Sequence, residues 1–294
     1  VMVPVSKQKV GSEKLFEIVK STQETFNLPV FSTETGYSSA GIDLGSNFFR
    51  INKEVKVAML IGDGVSSYEA GEVWHLLDTR VHIPLTKIRL NQFNRTSLDK
   101  YTTLVMVSGT YNQISDLGIK KIKDWVGKGN TLITIGSASS WAIKKEIVKE
   151  SLVEAKNDTI FVRKRYIDAR EYSGRERIGG SILKADLDLT HPLAFGYRDK
   201  SIPVYKNNNV FLNKSKSHYS SVAIYNKNPH IDGYVSKKNM ENNLKGSASL
   251  IVSGLGSGRV VLFADNPNFR GTWYGTNKLF LNAIFFGANI SVPK

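Results

Sequence analysis

Two polar segments of this chain have the composition of a catalytic turn, but neither contains a strong nucleophile or base. The segment 135–141 (Ile-Gly-Ser-Ala-Ser-Ser-Trp) follows an apolar run, at the position where a nucleophile elbow presents its reactive side chain. The segment 263–268 (Phe-Ala-Asp-Asn-Pro-Asn) follows a second run, where such a fold brings its general base, and it contains no His or Glu. The chain has no cysteine. We therefore expect the frame of an enzyme without its chemistry, with binding or scaffolding as the function.

Two serines, Ser108 and Ser137, each follow a predicted strand and are the remaining candidate nucleophiles. A serine hydrolase needs such a hydroxyl beside a positioned histidine and an acid. The G-x-S-x-G signature is absent, and His75 is the only histidine that we place near this edge of the predicted sheet. The pattern favours hydrogen-bonding serines, and an unrecognised serine hydrolase is the alternative.

A glycine turn at 62–64 (Gly-Asp-Gly) joins a predicted strand to a helix and can direct backbone N–H groups at an anion. Ser66 or Ser67 is suited to cap that helix, and Glu69 lies in its first turn, where a carboxylate is favourable. The G-x-G-x-x-G spacing and the P-loop lysine are both missing, so no nucleotide site is predicted. A tight turn with a serine cap is favoured over a ligand-binding turn.

Polar, cationic and aromatic residues crowd the segment after the last predicted strand, at 265–274. Such a set could recognise a carboxylate or a sugar. The alternative is a packed corner, with Arg270 bonded to loop carbonyls and Trp273 in the core. The ligand-binding candidates of the whole edge are Asp63, Ser66, Glu69, Ser108, Ser137, Asp265, Asn268, Arg270 and Trp273.

Metal binding by this chain is not expected. His75 and Asp78 lie three residues apart on a predicted helix, but one histidine and one aspartate do not make a zinc site. The H-E-x-x-H motif is missing, and the other histidines have no spacing typical of a metal site. We predict no cofactor in this segment.

The composition is that of an ordinary globular protein, with 41% hydrophobic and 22% charged residues among 294. The net charge of +14 could attract an anionic polymer, yet no nucleic-acid module is recognisable, so we expect no nucleic-acid partner. A solvated basic surface, densest between 144 and 177, is favoured over an anion-binding face.

No segment is apolar for long enough to span a membrane. The first five residues resemble the middle of a strand, which suggests a fragment of a longer chain.

From residue 55 onward, predicted strands alternate with helices, which indicates an α/β fold with a doubly wound, mostly parallel sheet. Ligands of such sheets lie beyond the carboxyl ends of the strands. We expect residues 1–54 to be a connecting segment with a strand, a helix and a strand, and 55–294 to be the main domain. A β-rich lobe is expected as an insertion at about 153–228. The predicted strands are 55–61, 84–90, 104–107, 131–135, 161–166, 181–187, 222–225, 248–253 and 259–264; the predicted helices of the main domain are 66–80, 115–126, one from 138, 236–244 and 274–286.

Three long motifs together resemble one family. They are residues 62–78, residues 188–197 (Asp-Leu-Thr-His-Pro-Leu-Ala-Phe-Gly-Tyr) and residues 258–270, which continue to residue 283. The chain is similar, from about residue 55 to its end, to the C-terminal region of large secreted bacterial zinc carboxypeptidases of the carboxypeptidase A/T type. In those proteins a glutamine-amidotransferase-like domain with a flavodoxin-like, class I amidotransferase-like fold follows the catalytic domain.

The resemblance implies that every catalytic role is lost from this chain. The nucleophilic cysteine of true class I amidotransferases falls on Ala138, and their His-Pro-Glu base and orienting acid fall on Asn266 and Asn268. Alanine cannot attack, and an amide cannot take up a proton near neutral pH. The peptidase zinc and its ligands belong to the separate catalytic domain of the parent enzyme.

Two functions therefore remain as expectations. The first is a non-catalytic accessory domain of an exported, periplasmic or extracellular zinc metallocarboxypeptidase, with the peptidase domain of the same polypeptide as partner and with peptide or an anionic surface polymer as a further ligand. The alternative is a binding module for an anionic or carbohydrate ligand at the strand-end edge.

Overall fold

The computed structural model describes residues 1–154, 163 and 165–291. The predicted strand at 161–166 begins outside these residues, and its last residue, Tyr166, begins a 3-10 turn at Tyr166–Asp168. The chain divides into two compact units, Val1–Ile51 and Asn52–Lys294.

The first unit contains one α-helix, α1 (Ser12–Phe26), and a 3-10 turn at Val5–Lys7. The helix ends at Asn27, whose left-handed φ of 48° closes it. Residues 1–51 are all described and contain no strand, so the two strands predicted around this helix are wrong. Val1 is 93% exposed, and an apolar run without a neighbouring strand has no backbone partner to form a sheet with. The helix begins at Ser12, and Gly11 is its N-cap.

The second unit is built on one nine-stranded sheet with the order β2-β1-β3-β4-β9-β8-β7-β5-β6. Buried apolar runs form the central strands, as predicted from their composition. The strands are β1 (Val57–Ile61), β2 (Leu85–Arg89), β3 (Thr103–Met106), β4 (Thr131–Ile135), β5 (Ser181–Leu187), β6 (Ser201–Lys206), β7 (Ser221–Gly233), β8 (Ala248–Leu255) and β9 (Gly258–Phe263).

The sheet has a parallel half and an antiparallel half. Strands β2, β1, β3, β4 and β9 pair in parallel, whereas β9, β8, β7, β5 and β6 pair antiparallel. The prediction of a mostly parallel sheet is therefore wrong for the antiparallel half of the sheet. The reason is that helices stop alternating with strands after β4. Strands β5 to β7, expected in a separate inserted lobe, continue the main sheet, and the lobe is not confirmed.

Helices cover both faces of the sheet. Met59 points into the core beneath α2 and α7, where Val73 and Phe280 are buried, and its neighbour Leu60 points into the opposite core with Trp125 of α3. The sheet is thus doubly wound, as predicted, with helices on both of its faces.

No described helix is long and apolar enough to cross a membrane. The helices are α2 (Ser67–His75, continuing as a π-turn at Leu76–Arg80), α3 (Asp116–Gly127), α4 (Ser137–Lys144), α5 (Ala169–Arg175), α6 (Lys237–Asn239, continuing as a π-turn at Met240–Leu244) and α7 (Tyr274–Phe286).

Candidate functional site

The loops after β1 and β3 meet at the carboxyl edge of the parallel half. Ser66 N donates to Ser108 O at 2.8 Å, and Thr110 N donates to Gly64 O at 2.7 Å. Ser66 also caps α2, because its Oγ accepts from Glu69 N at 3.4 Å. The predicted glycine turn with a serine cap is therefore present, and its backbone bonds are directed at a neighbouring loop. Asp63 is exposed at the tip of this turn, with its carbonyl 3.4 Å from Gln113 Nε2.

The turn between β4 and α4 has the backbone geometry of a nucleophile elbow. Gly136 has φ 56° and ψ −122°, and a Cβ at this position would come 2.3 Å from Ser108 Oγ. Only glycine adopts this backbone conformation without strain. Ala138 lies two residues further, inside α4, and is completely buried. The position with the backbone conformation of an elbow is thus Gly136, and neither Gly136 nor Ala138 carries a nucleophile.

The two candidate serines connect the β3 and β4 loops. Ser137 Oγ accepts from Gly109 N at 2.9 Å and lies 3.2 Å from Gly109 O, while Ser137 N donates to Ser108 Oγ at 3.3 Å. Among the described residues, neither hydroxyl is hydrogen-bonded to a histidine. These contacts favour the hydrogen-bonding role over a nucleophilic one.

Glu69 joins α2 to the same loops. Its Oε2 accepts from Ser108 N at 2.8 Å. Burial raises the pKa of Glu69; hydrogen bonds from Ser108 oppose this shift, and the charge of Glu72 adds to it. The predicted residues Ser66, Glu69, Ser108 and Ser137 therefore form one hydrogen-bonded group.

Glu72, one helical turn after Glu69, holds the loop between β9 and α7 and was missed by the sequence analysis. Asn266 Nδ2 donates to its Oε2 at 2.5 Å, and Arg270 N donates to its Oε1 at 2.5 Å. Burial raises the pKa of this carboxyl, opposed by those two bonds. Arg270 has a left-handed φ of 53° and an exposed side chain. The three-residue spacing from Glu69 placed Glu72 on the same helix face and could have revealed it.

Asp265, predicted as a ligand contact, instead lies at the centre of a buried network. Lys206 Nζ is 3.1 Å from its Oδ1, Ser249 Oγ donates to Oδ2 at 2.8 Å, and the Tyr225 hydroxyl also donates to Oδ2. Lys206 is fully buried, and burial lowers its pKa although Asp265 opposes the shift. Burial, together with the charge of Asp265, raises the pKa of Tyr225. Asp265 therefore joins strands β6, β7 and β8, and no ligand is needed to compensate its charge.

The remaining candidates belong to a packed corner. Asn268 is 1% exposed, and its N donates to Asn266 Oδ1 at 3.0 Å. Trp273 is half-buried and donates from Nε1 to Pro203 O at 3.3 Å. Asn268 is thus buried in this corner and Trp273 is half-buried rather than in the core, whereas the side chains of Arg270 and Asp63 are exposed. No group of three metal-ligating side chains occurs among the residues that the structure describes.

No protein-family model and no curated protein sequence matches this chain. Among solved structures, it is similar to a putative ThuA-like protein from Parabacteroides merdae, with 11% identity, a TM-score of 0.54, and coverage of 82% of this chain and 92% of that one. A second putative ThuA-like protein, from Bacteroides uniformis, has 11% identity, a TM-score of 0.48, and coverage of 85% and 96%. A glutamine amidotransferase from Thermotoga maritima has 12% identity, a TM-score of 0.40, and coverage of 71% and 74%.

The first of these likenesses shows that the chain shares its fold with a ThuA-like protein. At 11% identity it shows the fold alone. None of the three bears on a peptidase, so the carboxypeptidase part of the resemblance stays a prediction.

Proposed function

We propose that this chain is a non-catalytic, amidotransferase-like accessory domain of an exported zinc metallocarboxypeptidase, which supports the peptidase domain of the same polypeptide or its substrate binding. The observation that carries the absence of catalysis is the β4–α4 turn. Gly136 keeps the backbone conformation of an elbow, yet it has no side chain, and Ala138 is buried. The assignment to a carboxypeptidase rests on the sequence motifs at 62–78, 188–197 and 258–270.

The polar groups around this turn support the same proposal. Asn266 and Asn268 are amides, which do not exchange protons near neutral pH. The carboxylates of Glu69 and Glu72 accept hydrogen bonds from Ser108 N and Arg270 N, so both hold loops in place. In this proposal the zinc belongs to the separate catalytic domain, and this segment holds no cofactor.

A second candidate function is binding of an anionic or carbohydrate ligand at the strand-end edge. The observation that favours it is the exposed side chain of Arg270 in a strained backbone conformation. Backbone strain of this kind occurs preferentially at binding and catalytic sites.

The test is carboxypeptidase turnover by the full-length protein with and without residues 55–294. We expect deletion to reduce turnover or the stability of the peptidase domain, and unchanged values for both would favour a separate binding role. The present chain alone should hydrolyse neither glutamine nor peptides. Activity that survives chelation and is lost in Ser137→Ala would contradict the proposal.

A further inference from the structure

Helix α7 carries apolar side chains on both of its sides, although only one side lies in the core. The inner side includes Leu279, Phe280 and Ile284, which are buried. The outer side carries Tyr274 and Phe285, which are 58% and 43% exposed. A helix that is apolar all round is normally buried on all sides. The outer side of α7 therefore has the composition of a covered surface.

Helix α3, on the opposite face of the sheet, shows the usual arrangement. Ile122 and Trp125 lie on its buried side. Its exposed side carries Lys120 and Asp124 next to the apolar Leu117. Charged residues opposite an apolar stripe are typical of a helix that borders solvent. The apolar outer side of α7 is therefore a property of that helix and not of this fold in general.

The loop between β5 and β6 extends the apolar side of α7. Phe195 is 57% exposed, and its ring packs edge-on against the Phe286 ring, with 5.8 Å between the ring centres. Asn282 Nδ2 donates to Phe195 O at 2.9 Å, so α7 fixes the backbone of this loop. We call the exposed and half-exposed apolar residues of α7 and this loop the aromatic face: Phe195, Tyr274, Leu281, Phe285 and Phe286.

Two cations are held beside the aromatic face. The Arg80 guanidinium lies 4.1 Å from the centre of the Tyr274 ring. Lys278 Nζ donates to Gly196 O at 3.0 Å and lies 5.4 Å from the centre of the Tyr197 ring. Neither cation forms an ion pair within 4.0 Å among the residues that the structure describes. The face therefore combines an apolar centre with positive charge that no carboxylate of this part of the chain pairs with.

We infer that the aromatic face is the surface through which this domain docks on the peptidase domain of the same polypeptide. The surface that fits it is apolar at its centre and carries carboxylates opposite Arg80 and Lys278. Aromatic residues are enriched in the buried centre of protein interfaces. The identity of the partner as a peptidase domain rests on the proposed function, whereas its chemistry follows from the face itself.

Two other occupants fit the aromatic face less well. A two-fold contact with a second copy would bring the cations of both copies to one interface, and each copy has a net charge of +14. A helix that binds an anionic membrane sinks about 5–10 Å into the headgroup region. Helix α7 cannot do so alone, because its inner side is packed in the core of the sheet.

The experiment places one cysteine on the aromatic face of a chain that contains none. The rate at which N-ethylmaleimide modifies Phe285→Cys is measured in the present chain and in the full-length protein, by mass spectrometry of the peptide that contains residue 285. We expect the full-length protein to react at least about tenfold more slowly, which corresponds to a face that is covered about nine-tenths of the time or more. Leu117→Cys, on α3, is the matched control and should react at the same rate in both proteins.

Removal of one charge tests the chemistry of the partner. Lys278→Gln keeps an N–H donor for Gly196 O but loses the charge. In the full-length protein it should therefore speed the modification of Phe285→Cys by about threefold. Lys128→Gln, at the end of α3, is the control and should leave the rate unchanged. Circular dichroism and thermal unfolding show whether each variant keeps its fold. An unchanged rate in folded Lys278→Gln would contradict a partner with carboxylates at this position.

Equal rates at residue 285 in the two proteins would overturn the inference. If deletion of residues 55–294 nevertheless lowers turnover, this inference alone fails, whereas equal rates together with unchanged turnover contradict the proposed function as well. Slow modification in the present chain would also overturn the inference, and analytical ultracentrifugation would then show whether a second copy covers the face. Slower modification of the present chain on vesicles of phosphatidylglycerol would overturn it in favour of a membrane.

Discussion

The two halves of the sheet stabilise their carboxyl-edge loops by different chemistry. In the parallel half, Ser66, Ser108 and Ser137 connect neighbouring loops through hydroxyl and backbone hydrogen bonds at a half-exposed edge. In the antiparallel half, the buried pair of Lys206 and Asp265 connects strands that lie far apart in sequence. Neutral bonds at a wet edge can exchange with a ligand at low cost, whereas a buried ion pair cannot be broken without leaving a charge unpaired. This difference directs the search for ligands to the parallel half.

The largest expected effect is loss of the buried pair. Asp265→Asn leaves Lys206 without a counter-charge in a fully buried position, so we expect the free energy of unfolding to fall by about 3–5 kcal/mol. Urea unfolding followed by circular dichroism measures it. The matched variant in the parallel half, Ser137→Ala, should cost only about 1 kcal/mol.

A double variant tests the cause of that loss. Lys206→Met combined with Asp265→Asn removes the unpaired charge, so the pair should cost clearly less than the sum of the single variants. Additive effects would mean that the two halves do not differ in the way described.

A second prediction concerns pH and His191, in the loop between β5 and β6. His191 is 8% exposed, its Nδ1 accepts from Leu193 N at 3.1 Å, and burial lowers its pKa from 6.5 to about 4, although the charge of Asp188 opposes the shift. Between these two values the unfolded chain binds more protons, so stability should fall as the pH drops from 6.5 to 4. At about 1.4 kcal/mol per pKa unit, the loss should reach up to about 3 kcal/mol.

His191→Asn is the control, because asparagine keeps an acceptor for Leu193 N and does not titrate. The pH dependence of its unfolding free energy should be flatter over the same range. An unchanged slope would mean that another group causes the acid sensitivity.

The smallest of the three effects is expected at the elbow of the parallel half. Gly136→Ala places a methyl group 2.3 Å from Ser108 Oγ in a strained conformation, which should cost about 2 kcal/mol. Adding Ser108→Gly removes the close contact but not the backbone strain, so thermal unfolding should show partial recovery. Full stability in Gly136→Ala would show that this turn relaxes and does not keep an elbow.

The sequence predicts the central elements well because their patterns are local. The helix at 274–286 and the strands at 131–135 and 181–187 have the predicted bounds. Four of the candidate residues (Ser66, Glu69, Ser108 and Ser137) meet because parallel strands bring their following loops to one edge.

The antiparallel half was less predictable because its contacts depend on distant residues. Strand β6 was missed, since Pro203 interrupts its apolar pattern and its last residue is a lysine. A lysine is almost never fully buried unless it is paired, and the partner of Lys206 lies 59 residues away. Asp265 resembled a ligand contact because local pattern does not show which strands pair, and only that pairing brings Tyr225, Ser249 and Lys206 to its carboxylate.

The bond between Trp273 and Pro203 also affects association between chains. Strand β6 forms one edge of the sheet and pairs with β5. Leu187 N donates to Lys200 O, and hydrogen-bonded and non-hydrogen-bonded pairs alternate along an antiparallel ladder. The backbone groups of residue 203 therefore face away from β5. Proline has no N–H to offer there, and its carbonyl already accepts from Trp273 Nε1. The middle of this edge therefore presents neither a donor nor a free acceptor to an approaching strand, which protects the protein from edge-to-edge aggregation.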